Sequence, residues 1–73
     1  MSVFDLKAGS SAVISKINLT GSAAARLQSL GIKQGEKIEV ISFSLFKSSV
    51  LISCAAVRLG LRKAIAQQIE VTV

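Results

Sequence analysis

The chain has 73 residues, 51% of them hydrophobic, with nine Lys and Arg against four Asp and Glu, one Cys and no His, Pro, Trp or Tyr. That is material for one small domain spanning 1–73, in which nearly every Val, Ile and Leu must be buried to offset the entropy of ordering the chain, leaving little apolar surface for a deep substrate pocket. A lone Cys54 excludes an internal disulfide framework, so a reducing cytosol is the compartment expected, and the formal charge of +5 favours acidic partners.

Residues 1–9 read as a lead-in: Val3, Phe4 and Leu6 pack down before Lys7, Ala8 and Gly9 turn the chain. Asp5, Lys7 and Lys16 interrupt any signal-peptide pattern. AVISKIN at 12–18 is β-branched but alternates imperfectly, because Val13, Ile14 and Ile17 do not share one face. Asn18, Thr20, Gly21 and Ser22 supply turn and capping chemistry for a helix in which Ala23, Leu27 and Leu30 recur on one face while Arg26 and Ser29 point outward. Gly31 stands where that helix must stop, and Ile32 is expected to fold back onto its end.

After a turn at Lys33, Gln34 and Gly35, EKIEVISF at 36–43 gives the clearest strand, with Ile38 and Val40 alternating against charged residues. VLISC at 50–54 and VRLGL at 57–61 continue as strands; Val57, Leu59 and Leu61 face inward, Arg58 and Gly60 outward. Lys63 to Gln68 form one short helical turn. Ile69, Val71 and Val73 close the chain by alternating around Glu70 and Thr72. No stretch approaches the ~18 apolar residues of a membrane-spanning helix, so the chain is not expected to span a membrane.

Five short strands, a helix after the first and a helical turn before the last predict a mainly β fold: a small five-stranded SH3-like barrel, whose closure would hide sheet edges. An OB-like barrel is the competing geometry, but its helix normally comes later in the chain.

The segment around Gly9, then RLQSLGIKQGEKIEVI at 26–41 and LRKAIAQQIEV at 61–71 resemble the FeoA family of ferrous-iron transport accessory proteins. The pattern runs through Arg26, Leu27, Leu30, Gly31, Ile32, Gly35, Ile38 and Val40, and again through Leu61, Arg62, Ala64 or Ala66, Ile69 and Val71. Each motif alone is weakly specific; their order and separation are more informative. The resemblance implies an SH3-like fold in the cytosol, working at the inner face of the membrane with a FeoB-type ferrous iron permease and carrying out no catalysis itself. Two departures stand out. The connection SLFKSS at 44–49 and the turn within SCAAV at 53–57 lack the Gly or Pro common there, and Gly60 replaces a larger small residue.

Leu45, Phe46 and Lys47 fall at a hairpin tip, where two large apolar side chains between serines are hard to bury; they are expected either to fold over an open barrel end or to meet a protein partner. Arg58, Arg62 and Lys63 form a second candidate contact, because Arg58 and Arg62 share strand parity. A solvated basic face is the plain alternative. Cys54 reads as a small buried hydrophobe. Without His, and with carboxylates on separated segments, neither a metal site within the chain, a cofactor site nor an acid–base pair is expected. Gly31 and Gly35 lack the Lys-Ser/Thr of a phosphate loop. The second functional reading is a nucleic-acid-binding SH3- or OB-like barrel, drawn from the charge; with Phe4, Phe43 and Phe46 the only aromatics, bases would find little to stack on, so no nucleic acid partner is expected. The sequence does not specify an oligomeric state.

Overall fold

In a computed structural model describing residues 1–73, strands β1 (Ser11–Ile17), β2 (Lys37–Phe43), β3 (Ser49–Cys54), β4 (Val57–Arg62) and β5 (Ile69–Thr72) make one antiparallel sheet in the order β4-β3-β2-β1-β5. Helix α1 (Gly21–Ser29) follows β1, and the single turn α2 (Lys63–Ala66) joins β4 to β5. The expected order of strands and helices is therefore present. Closure is not: β4 and β5 lie at opposite ends of the sheet and do not pair. With α2 as the link between them, the sheet curls without sealing, and the closed barrel anticipated from sequence is corrected to an open five-stranded sheet.

The curl comes from two β-bulges. Between Ile14 and Lys16 the register of β1 on β5 slips by one residue, and between Val40 and Ser42 the register of β2 on β3 does the same. An extra residue reverses the alternation beyond it and bends the strand. Ala12 and Ile14 are buried and Val13 is exposed, yet past the bulge Ile17, not Lys16, returns to the core. Likewise Ile38 and Val40 point in, and Phe43 rather than Ser42 packs against the core. The imperfect alternation of the first strand is thus a feature of its bent path.

Helix α1 has one fully inward side chain, Leu27, with Leu30 packed partly against the core. Its Thr20 N-cap makes no side-chain bond. The stop is better defined: Gly31 (φ +85°) donates to the Gln28 carbonyl at 3.0 Å and Ile32 donates to the Leu27 carbonyl at 3.0 Å, a Schellman pair that seats buried Ile32 under the helix end. Gly31 has a second constraint, since a Cβ there would lie 3.0 Å from the Cβ of Ala55.

Fifteen buried residues form the core, among them Ile14, Ile32, Ile38, Ile52, Ile69, Val3, Val40 and Val50, all essentially inaccessible. Each such side chain contributes about 1.5–3 kcal/mol of transfer free energy. No polar or charged residue is buried with them. The lead-in is ordered as a 3-10 turn at Val3–Asp5, held by the Ser2 N–H donating to Asp5 Oδ2 at 2.9 Å. It lies along the outside of β5: Ser2 bridges Glu70 and the Val71 N–H donates to the Met1 carbonyl at 2.8 Å. Val73 lies beyond β5 and is exposed, so the closing alternation stops at Val71. No helix is long and apolar enough to cross a membrane.

Candidate functional site

The connection between β2 and β3 carries two large apolar side chains that stand in solvent. Leu45 is 81% and Phe46 91% exposed on a 3-10 turn spanning Leu45–Lys47. The turn is bent back by left-handed backbone at Phe46 (φ +66°) and Lys47 (φ +54°), a region that costs a large L side chain ~1–2 kcal/mol per residue. Ser44 braces it: the Lys47 N–H donates to the Ser44 carbonyl at 2.9 Å, and the Ser49 N–H donates to Ser44 Oγ at 2.9 Å. Phe46 therefore does not fold over the sheet's end.

Lys47 turns the other way. Its Nζ lies 4.7 Å from the centre of the Phe43 ring and 5.7 Å from that of Phe4, and these rings meet edge to face at 5.4 Å. Lys63 Nζ approaches Phe4 as well, at 5.6 Å. The aromatic pair thus gathers two cations at the base of the tip, each such contact worth ~0.5–1 kcal/mol at an exposed site. Because Phe4 and Phe43 are occupied in this way, Phe46 is the one freely presented ring, and there is no row of aromatics on which successive bases would stack.

The strand register brings part of the second candidate cluster to the same place. Arg62 pairs with Ser49 across β3 and β4, and the Lys63 N–H donates to the Ser48 carbonyl at 3.0 Å, so both stand beside the tip. Arg58 is opposite Ser53, four residues along β4 and ~13 Å away. Arg58 and Arg62 share the outer face as the parity predicts, but one compact patch joins only Leu45, Phe46, Lys47, Arg62 and Lys63.

A groove of about 330 Å³ opens between α1 and β4, lined by Ala23, Leu27, Leu59, Leu61 and Ile65, with Arg26 and Arg62 at its rim. The sequence places Arg26 on the outward side of the helix but gives no sign of the groove, because nothing in a period-two pattern says which strand ends the sheet. Cys54 is buried at the far end of β3; burial, and secondarily the Glu36 carboxylate, push its thiol above the usual 9.0. No three His, Cys, Asp or Glu side chains converge.

A family model described as the FeoA domain matches residues 1–73. Among solved structures, the FeoA protein of Chlorobium tepidum superposes with a TM-score of 0.94 at 27% identity, covering 100% of this chain and 70% of that one. The Stenotrophomonas maltophilia FeoA complexed with zinc, described as a procaryotic SH3 domain protein, gives a TM-score of 0.86 at 24% identity over 99% and 89% of the two chains. A manganese-dependent transcriptional repressor shares the fold, with a TM-score of 0.84 at 18% identity, but the match covers 97% of this chain and 39% of that one. A comparison with curated proteins finds no match.

Proposed function

The chain belongs to the FeoA domain family, and from that premise we propose that it is a cytoplasmic accessory protein of ferrous-iron transport, docking on an inner-face segment of a FeoB-type permease and biasing its assembly or gating. The observation that carries the reading is the tip: Leu45 and Phe46 stand clear of the core on left-handed backbone that the sequence does not relieve with glycine. Strain held at an exposed apolar turn stabilises nothing within the chain, and residues in such backbone concentrate at contact and functional sites. Arg62 and Lys63 beside the tip add charge that orients an acidic partner surface, while Lys47, held over Phe4 and Phe43, stiffens the base. In this reading iron passes through the permease and never meets this chain.

The test is a double substitution, Phe46→Ser with Arg62→Glu. Both positions are exposed, so the variant keeps its fold by thermal melt, while ferrous-iron uptake falls in cells that depend on it and a solubilised permease no longer co-purifies with it. A folded variant with unchanged uptake and capture overturns the proposal.

A further inference from the structure

The two edges of the sheet are treated differently. The Met1–Ser2 segment covers the outer edge of β5, whereas no strand pairs with the outer edge of β4. The two-residue turn Ala55–Ala56 has both φ values positive, +51° and +65°, as a type I′ hairpin requires. Cys54–Val57, Ile52–Leu59 and Val50–Leu61 are then the hydrogen-bonded pairs of the ladder, and the N–H and C=O groups of Arg58, Gly60 and Arg62 point away from β3. The groups of Arg58 and Gly60 and the Arg62 N–H face no partner strand, while the Arg62 C=O, at the N-cap of α2, serves the first turn of that helix. Gly60, at the middle of the edge, has open space where a Cβ would stand.

The groove beside α1 lies along this edge. We propose that β4 accepts an extended segment of another protein as an additional strand, one whose side chains alternate between acidic and apolar. Such a strand would place every second side chain over Leu27, Leu59, Leu61 and Ile65, and the intervening ones in line with Arg58 and Arg62 on the outer face. The acidic requirement follows from charge. Arg26, Arg58, Arg62 and Lys63 flank the edge, and none of the four carboxylates, Asp5, Glu36, Glu39 and Glu70, lies on α1, β4 or α2. The same charges reject a second copy: antiparallel pairing of two β4 edges about Gly60 sets Arg58 against the other copy's Arg62, and like charges directly opposite are destabilising. The proposal goes beyond permease docking through the tip and does not depend on it.

The probe is a short amidated peptide alternating glutamate and valine, titrated into the isotope-labelled chain at physiological salt. The amides of Gly60 and Arg62 are expected to shift and to exchange more slowly with solvent. Gly60→Pro, which removes an outward N–H that edge strands can spare, and Arg26→Glu with Arg62→Glu, which keeps the fold should the proline variant fail, each weaken binding by ~10-fold or more, the equivalent of ~1.4 kcal/mol. Phe46→Ser leaves this binding unchanged, separating it from the tip. Equal binding of a control peptide in which proline replaces valine would reduce the effect to charge and overturn the proposal. So would shifts confined to Leu45 and Phe46, or concentration-dependent shifts at β4 without peptide, which would mean self-pairing.

Discussion

Replacing Phe46 with glycine is expected to raise stability while impairing function. The phenyl ring is 91% exposed, so its loss forfeits only about a tenth of the 1.5–3 kcal/mol that full burial gives, roughly 0.2 kcal/mol. Against this, glycine removes most of the ~1–2 kcal/mol that φ +66° costs a side chain. The greater freedom of glycine in the unfolded chain takes back ~0.4–1 kcal/mol. The balance is a gain of about 0.5 kcal/mol, which in a domain of this size raises Tm by ~2–4 °C. Phe46→Ala is the control, because it removes the ring but keeps the strain, and its Tm should not rise. Thermal and urea melts of both variants, paired with iron uptake, decide the matter: both lose uptake and only the glycine variant gains stability. A glycine variant no more stable than the alanine one would refute the view that the tip stores strain.

Gly31→Ala meets both left-handed backbone and the Ala55 Cβ at 3.0 Å, so it should cost about 1–3 kcal/mol in urea melts. Asp5 is held below its ordinary 3.8 chiefly by the Ser2 N–H bond, so its stabilisation is complete above the unfolded value and is lost as pH falls through the lower folded one; Asp5→Asn should abolish that acid-side dependence and speed exchange of the Val71 amide. Cys54 should react with a thiol reagent only as the chain opens, and because its folded pKa is raised, its contribution to stability holds below 9.0 and declines as pH climbs through the higher folded value.

The parts of the fold legible in the sequence are those whose cause is local. Gly31 and Ile32 mark the end of α1 because a left-handed stop and an apolar return have a residue signature, and Ile38 and Val40 mark β2 because alternation does. The bulges near Ser15 and Ile41 leave a weaker trace, visible only as broken alternation, since a parity change looks like a poor strand. Closure is not legible for a different reason: it depends on how far two bent strands carry the sheet round, and β4 and β5 are separated by α2. At the candidate site, Leu45 and Phe46 could be recognised as hard to bury. That Lys47 would leave them for the Phe4–Phe43 pair could not, because Phe4 lies at the other end of the sequence and reaches that place only through the sheet.

The four non-glycine residues in left-handed backbone, Phe46, Lys47, Ala55 and Ala56, all lie in the connections at the two ends of β3. Their causes differ. Ala55 and Ala56 obey a geometric demand, since a two-residue hairpin between β3 and β4 needs positive φ at both positions. The β2–β3 connection is longer and under no such demand, so at Phe46 and Lys47 the strain must be imposed from outside the turn, by the Ser44 brace and by the rings that hold Lys47. What opposes it is the strand between, where Val50, Ile52 and Cys54 are almost wholly buried and paired on both sides. A strand so firmly seated can carry a strained apolar tip at one end. The same rigidity fixes β4 against it, with its outer hydrogen-bonding groups set in line along the groove. The face that an acidic partner would meet is therefore built against a strand that is itself paired on both sides.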